Sequence, residues 1–266
     1  ALLKQKNPTW NVEEIVQALK NNAKQVDAYL TAQGHGRIDV INTISSPRPV
    51  KAEIITNGKI NGRILNIIGS AYGDNFVDYK LYYNNRDITL GNWVLLHQSN
   101  IPVNNDIFYS WDIGTLNGNY ELKLEVNGIT QSIDYSALSI ENTKIKYPLD
   151  LADNNLYQGL EIIPTWKRNI IVNGTSFHNY FKNYTLNFCK IYNLYSFTNY
   201  SNCLNVVTTV DNGQSAIIGN KLGEIDISSI NEASFYRLVL TTYATNDDRK
   251  EDTVNIYVEP DLLEGW

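Results

Sequence analysis

The chain has 266 residues, of which 43% are hydrophobic and 19% are charged, and its formal net charge is −6. This length and composition predict about two folded domains with buried cores. The negative charge and the lack of a Lys/Arg-rich run argue against nucleic acid as a partner. No apolar stretch approaches the roughly 18 residues of a membrane-spanning helix, so no membrane span is predicted.

The two ends predict a piece of a longer secreted protein. The sequence contains no Met and opens on the apolar run Ala1-Leu2-Leu3. It closes on Leu262-Leu263-Glu264-Gly265-Trp266, which is again largely apolar.

Three helices are predicted near the N-terminus. Asn7-Pro8 ends the first, because the residue before a proline disfavours helical geometry. Asn11 begins the second, with Glu14 three residues on as in a capping box, and Asn21-Asn22 end it. A short third helix follows Asp39, whose side chain is placed to cap it.

These residues resemble the last two helices of a subtilisin-like serine protease domain. The similarity covers the first 45 residues or so and is carried by Ala1-Leu2-Leu3, Asn7-Pro8-Thr9-Trp10, Val12-Glu13-Glu14-Ile15, Ala18-Leu19 and Gly34-x-Gly36-Arg37-Ile38-Asp39. The resemblance implies that the catalytic Asp, His and Ser precede Ala1, so no catalytic residue is expected in this chain. The alternative interpretation is a generic helical hairpin.

This helical segment is too small to fold alone, because its core cannot offset the chain entropy. Either the remainder of a protease domain or another protein chain completes it, or the helices pack on something else. The resemblance also implies a peptide or protein substrate, bound by the parent enzyme.

Residues 47–141 predict an immunoglobulin-like β-sandwich. Segments near 50–57, 63–69, 76–83, 91–97, 107–113, 119–127 and 130–138 are rich in β-branched and aromatic residues. The Asn-Gly pairs between and within them favour hairpin turns, and seven short strands with frequent turns are typical of such a sandwich. The order of motifs is also similar to sandwich modules appended to some secreted prokaryotic subtilisin-like proteases.

A long motif occurs twice and predicts a duplicated domain. Gly-[Ser/Thr]-x-[Tyr/Phe]-x-x-x-Phe-x-x-Tyr-x-Leu begins at Gly69 and again, 105 residues later, at Gly174. A second pair of similar segments follows at Trp111 and Ile225, so we expect a second sandwich over residues 142–266 after a helical remnant over 1–46. The repeated aromatic residues are interpreted as core; the alternative is a carbohydrate-binding platform.

Cys189 and Cys203 are the only cysteines, and in a secreted protein two lone cysteines favour a disulfide over free thiols. Such a bond would contribute on the order of 3 kcal/mol. Possible N-glycosylation sequons occur at Asn173, Asn183 and Asn199, although chance matches are common in an Asn-rich chain.

Two other patterns suggest chemistry only weakly. Gly174-Thr175-Ser176 with His178 resembles a nucleophile, but Ser176 aligns with Ala71 in the repeat, so a structural role is predicted. Oxygen-rich stretches could contribute to a calcium site, with solvated turns as the favoured alternative: Asp211-Asn212-Gly213, Asp247-Asp248 and Glu251-Asp252. No other cofactor or metal is expected.

The sequence therefore predicts the C-terminal part of an extracellular subtilisin-like serine endopeptidase. Its two sandwiches would be non-catalytic accessory modules for surface attachment, substrate binding or stability, secreted or at the cell surface. The alternative is a structural or adhesive cell-surface protein that carries a degenerate protease remnant.

Overall fold

The computed structural model describes residues 1–26, 34–88, 92–148, 162–164, 168–191 and 203–259, and the chain is mainly β. It divides into two compact units. The first comprises Ala1–Ile60, Ile64–Asp112 and Gly118–Ile140, and the second comprises Asn61–Arg63, Ile113–Asn117 and Glu141–Trp266. Each unit contains one immunoglobulin-like β-sandwich, and the first also contains the N-terminal helices. Within the described residues, no helix is long and apolar enough to cross a membrane.

Among the described residues, helices form where the sequence predicts them: α1 (Leu2–Lys6), α2 (Val12–Asn21) and α3 (Val40–Ile44). The capping box at the start of α2 is complete. Asn11 Oδ1 accepts the Glu14 backbone N–H at 2.9 Å, and Glu14 Oε2 accepts the Asn11 N–H at 2.8 Å. Both bonds satisfy backbone donors that the first helical turn leaves without partners.

Helix α2 packs on the first sandwich. The buried Gln17 side chain accepts the Ala52 backbone N–H at 3.4 Å, and Asn21 donates to the Ser132 hydroxyl at 2.8 Å. Arg48, in the chain between the helices and the sheets, binds Glu14 at 2.8 Å. The helical segment is therefore completed by the sandwich that follows it, which supplies the packing surface that it lacks on its own.

The first sandwich has two sheets. One has the order β1-β3-β6 and the other the order β2-β8-β7-β4-β5; pairing is antiparallel except for the parallel pair β2–β8. The side chains between the sheets are fully buried at Ile67, Tyr79, Leu81, Leu122 and Leu124. The strand bounds are β1 (Lys51–Ile54), β2 (Gly58–Ile60), β3 (Ile64–Tyr72), β4 (Asp78–Asn85), β5 (Val94–Ser99), β6 (Val103–Asp112), β7 (Gly118–Asn127) and β8 (Ser132–Ile140).

The second sandwich repeats this arrangement with one additional edge strand, β14. Its sheets have the orders β14-β15-β11-β9 and β10-β17-β16-β12-β13, and again only the pair β10–β17 is parallel. Its core includes Tyr184, Phe188, Leu222, Ile225 and Leu238. The strand bounds are β9 (Thr143–Tyr147), β10 (Ile162–Pro164), β11 (Asn169–Ser176), β12 (Phe181–Ile191), β13 (Cys203–Leu204), β14 (Val207–Thr209), β15 (Ile217–Asp226), β16 (Ser234–Ala244) and β17 (Arg249–Glu259).

The predicted duplication is confirmed at the level of single residues. Tyr79 and Tyr184 occupy equivalent strands and are each 2% exposed. Gly69 and Gly174 lie at equivalent register breaks, and a Cβ at either would come within 2.1 Å of a backbone oxygen of the neighbouring strand. Glycine is required at both positions because the strands approach too closely for any side chain.

Two strands differ from the sequence prediction. β2 has three residues and lies where a turn was predicted. Gly219 and Gly223 interrupt the hydrophobic pattern, so the sequence predicts two strands there, over 214–219 and 224–227. Both segments belong largely to the single strand β15. β2 and β15 are stabilised by pairing with strands that are distant in the sequence, and local sequence patterns do not indicate such pairing.

Candidate functional site

The residues that resembled a nucleophile are buried and bonded to structural partners. Ser176 is fully buried, and its Oγ lies 2.7 Å from Thr242 Oγ1, which also accepts the Thr143 hydroxyl at 2.9 Å. His178 Nδ1 accepts the Tyr180 backbone N–H at 3.0 Å, and Nε2 lies 3.2 Å from Asp248 Oδ2. Both groups therefore serve the packing of the second sandwich, as the alignment of Ser176 with Ala71 suggests.

Most of the acidic residues considered for calcium have protein partners. Asp252 binds the Lys144 ammonium at 3.2 Å. Burial alone would raise the pKa of Asp248, but Lys250 and His178 together hold that pKa below its usual range. Asp211 and Ser215 hydrogen-bond to each other in a turn. Within the part of the chain that the structure describes, no group of three His, Cys, Asp or Glu residues is placed to hold a metal ion.

Cys189 and Cys203 form a disulfide with an S–S distance of 2.02 Å. Cys189 is buried in β12, and Cys203 begins the exposed two-residue strand β13 that pairs with it. The bond therefore attaches the very short edge strand β13 to β12 in the five-stranded sheet of the second unit. Among the predicted sequons, Asn173 is exposed in β11 and Asn183 is partly exposed in β12, whereas Asn199 lies outside the described residues. Glycosylation remains a prediction.

A carboxylate joins the two sheets at the same place in each sandwich, buried in the first and partly buried in the second, and sequence analysis missed it. Asp134 in β8 accepts the Ile54 backbone N–H at 2.8 Å, and Asp252 in β17 accepts the Ile145 N–H at 2.7 Å. In the first unit His35 and Lys20 also approach Asp134, at 3.2 and 3.8 Å. The equivalence of these carboxylates becomes visible only when the last strands are aligned.

The candidate ligand-binding feature is a cluster on the outer face of the first sandwich, which we name the outer aromatic patch. Tyr82, Lys123 and Tyr135 lie side by side on β4, β7 and β8. Their neighbours in the chain point into the core, because side chains alternate along a strand. Trp93, just before β5, and Glu125 complete the patch, and all three rings are partly exposed.

The patch is organised around one ammonium group. Lys123 Nζ lies 4.5 Å from the Tyr82 ring centre and 4.9 Å from the Trp93 ring centre. It also forms an ion pair with Glu125 Oε1 at 2.8 Å. The Trp93 and Tyr135 rings are 6.0 Å apart and tilted by 47°. The ammonium group therefore makes cation–π contacts with two rings and an ion pair with one carboxylate.

The fold does not require these residues, because the second sandwich does without them. The equivalent cross-strand row there is Asn187, Val239 and Thr253. The two copies keep the same buried tyrosine and the same strand order in their five-stranded sheets, yet they differ completely on this outer row. A feature that one copy lacks without loss of the fold is a candidate for function.

The electrostatics of the patch favour uncharged ligands. Lys123 and Glu125 neutralise each other, so the surface offers hydrogen-bond donors and acceptors with little net charge. Burial, followed by the nearby Glu125 carboxylate, raises the pKa of both Tyr82 and Tyr135. Both phenols therefore stay protonated and can donate hydrogen bonds over the physiological range of pH.

The sequence contained a weak indication of this patch. Alternation in the strand that contains Tyr79 and Leu81 places Tyr82 on the opposite, outer face. That Lys123 and Tyr135 lie beside Tyr82 follows only from the register between the strands, which the sequence does not define.

No family model and no curated protein matches the chain. Several solved structures do. A tetra-tandem repeat in the extending region of a large adhesion protein is 17% identical, with 73% of this chain and 45% of that chain covered and a TM-score of 0.25. A Ca²⁺-stabilized adhesin with which an Antarctic bacterium binds ice is 11% identical, with 76% and 46% covered and a TM-score of 0.24.

A third match is SGBP-B of the mixed-linkage glucan utilization locus of Bacteroides ovatus, in complex with a heptasaccharide. It is 14% identical, with 76% of this chain and 42% of that chain covered and a TM-score of 0.23. The chain spans less than half the length of each of these three proteins. TM-scores of this size carry no argument about function, so the functional reasoning rests on the chain's own residues.

Proposed function

We propose that this chain forms two accessory, non-catalytic β-sandwich modules of an extracellular protein, and that the outer aromatic patch attaches them to an uncharged polysaccharide. The observation that carries the proposal is the row Tyr82–Lys123–Tyr135, which replaces Asn187–Val239–Thr253 of the second copy. Attachment of this kind is an accessory or adhesive role.

The chemistry of the patch supports a sugar ligand. The face of a pyranose ring exposes C–H groups that pack on an aromatic ring, while its hydroxyls donate and accept hydrogen bonds. Trp93 and Tyr135 offer the apolar faces, and Lys123 and Glu125 offer the polar groups beside them. An ionic ligand would have to break the Lys123–Glu125 pair, so it fits this surface less well.

An extracellular location is supported by the disulfide between Cys189 and Cys203. Disulfides form and persist in oxidising compartments and are rare in the reducing cytosol. A secreted or cell-surface module also has direct access to polysaccharide.

The proposal is tested by affinity electrophoresis of the full chain in gels that contain a neutral polysaccharide: β-glucan, mannan or starch. We expect at least one of these to retard the chain, and we expect Trp93→Ala to reduce the retardation at least fivefold. Tyr257→Ala is the matched control, because this partly exposed ring contacts Phe235 in the second unit, outside the patch. It should be retarded like the unmodified chain.

Two outcomes would overturn the proposal that the patch binds an uncharged polysaccharide. One is that no neutral polysaccharide retards the chain; the other is that Trp93→Ala is retarded as strongly as the unmodified chain. Retardation by an anionic polysaccharide alone, lost at high salt, would instead indicate a local ionic contact with basic side chains.

The second candidate is that these modules belong to a subtilisin-like serine endopeptidase. It is favoured by helix α2, whose N-terminus is capped at Asn11. The resemblance includes a capped helix at this point of the chain. Sequencing the codons that precede Ala1 tests this candidate: Gly-Thr-Ser-Met-Ala with an upstream Asp and His would support it. A full-length protein that resists fluorophosphonate labelling would support a degenerate remnant.

A further inference from the structure

The two sandwiches differ at one sheet edge. In the second, the outer edge of β15 is covered by the three-residue strand β14, with Val207 opposite Ile225, Thr208 opposite Glu224 and Thr209 opposite Gly223. The Asp226 backbone N–H also donates to the Val206 carbonyl at 2.9 Å. This edge is therefore satisfied by the chain itself.

The equivalent edge in the first sandwich belongs to β6. Phe108 and Leu222 are equivalent bulge residues, so Tyr109, Ser110 and Trp111 correspond to the three residues that β14 covers. Among the strands that the structure describes, β6 pairs only with β3. Ser110 is exposed, whereas its counterpart Glu224 is partly buried.

The backbone of Ser110 points away from β3. Ile113 donates its N–H to the Arg63 carbonyl at 2.7 Å, and the register continues with Trp111 opposite Leu65. Hydrogen-bonded and non-hydrogen-bonded pairs alternate along an antiparallel ladder. Ser110, opposite Asn66, is therefore a non-hydrogen-bonded pair, and its N–H and C=O face outward, as those of Glu224 face β14.

We propose that this edge of β6 accepts an extended peptide segment of a partner protein as an added strand. The segment lies antiparallel to β6 with β-branched residues opposite Trp111 and Tyr109, as Val207 and Thr209 lie in the second copy. Strand addition uses main-chain hydrogen bonds for affinity and the alternating side chains for specificity.

The shape and charge of the edge favour a flexible segment over a second copy of this chain. Asn105 has a positive φ of 51°, and the bulge at Phe108 bends the strand, so only a short stretch of the edge is straight. Two rigid, bulged edges match poorly, whereas a segment as short as β14 fits. The exposed Asp106 beyond this stretch favours basic residues that begin two positions after the one equivalent to Thr209.

The test uses the full chain and a fluorescent peptide with the sequence of residues 205–210 followed by two lysines. We expect fluorescence anisotropy to report saturable binding. Ser110→Pro should weaken it at least tenfold, because proline removes the outward N–H and is tolerated on a strand edge. A peptide with Thr208→Pro should lose binding to the same extent, because that residue supplies the matching N–H.

The matched control is Glu224→Pro, at the equivalent position of the second copy. It should leave peptide binding unchanged and lower the thermal stability of the second unit, because it breaks the internal β14 pairing. Ser110→Pro should leave stability nearly unchanged. In hydrogen exchange of the free chain, the Ser110 amide should exchange faster than the Glu224 amide.

Three results would overturn the proposal. The first is peptide binding that Ser110→Pro does not weaken. The second is a Ser110 amide that is as protected as the Glu224 amide in the free chain, which would mean that the edge is already covered. The third is self-association in sedimentation that Ser110→Pro abolishes while no peptide binds, which would make a second copy the occupant.

Discussion

Asp134→Ala tests whether the buried carboxylate holds the two sheets of the first sandwich together. Asp134 is 8% exposed and accepts the Ile54 N–H at 2.8 Å. Its removal leaves that N–H buried without its acceptor, which costs about 1–3 kcal/mol. The lost ion pair with the partly exposed Lys20, at 3.8 Å, adds at most a few tenths of a kcal/mol because solvent screens it. We expect a total loss of about 1–3 kcal/mol.

The assay is equilibrium urea unfolding of the full chain, in which the first unit should unfold at lower urea while the second is unchanged. Asp134→Asn is the control, because its amide oxygen can still accept the Ile54 N–H and only the charge is lost. It should recover about half of the free energy lost in the alanine variant. A loss below about 0.5 kcal/mol for Asp134→Ala would refute the reasoning, since it would mean that water or another group satisfies the Ile54 N–H.

Three further predictions concern backbone approach, a buried hydroxyl and pH. Gly174→Ala should destabilise the second unit by about 2–4 kcal/mol in urea unfolding, because the new Cβ would lie 2.1 Å from the Lys144 carbonyl oxygen; an unchanged midpoint would contradict this. Tyr184→Phe removes the hydroxyl that donates to the Leu222 carbonyl at 2.5 Å, so thermal unfolding should show a loss of about 1–3 kcal/mol, and no loss would mean that the hydrogen bond contributes nothing. Burial raises the pKa of Tyr120 to about 12, above its ordinary value of 10.0. The protonated phenol therefore stabilises the fold fully below pH 10, and this contribution, roughly 1–3 kcal/mol, is lost as pH rises towards 12. Tyr120→Phe should make the decline in stability between about pH 10 and 12 less steep. An unaltered decline would mean that other titrating groups cause it.

The sequence predicted those parts of the fold that local chemistry determines. The helix boundaries follow from side chains that satisfy their own neighbouring backbone, such as Asn11 and Asp39. The duplication could be predicted because Gly69, Gly174 and the buried tyrosines are constrained by close strand approach and by the core. Such positions tolerate few residue types, so the pattern survives in both copies.

The remaining features depend on register between distant strands. The parallel three-residue strand β2 forms on β8, eighty residues further along the chain, and nothing in Gly58–Ile60 indicates that partner. The outer aromatic patch likewise assembles Tyr82, Trp93 and Tyr135 from three separate segments. A shift of one residue in any ladder would place one of them in the core, so alternation alone could not assemble the patch.

Tandem copies of one fold carry a hazard during synthesis, because a strand of one copy can dock in the place of its counterpart in the other. The shared Tyr-x-Leu segments would fit either core, so the core alone does not prevent such an exchange. The outer rows do discriminate: if β12 replaced β4, Lys123 would face Asn187 in place of Tyr82 and lose that cation–π contact. Divergence of the surface thus gives each half of the chain a preference for its own strands.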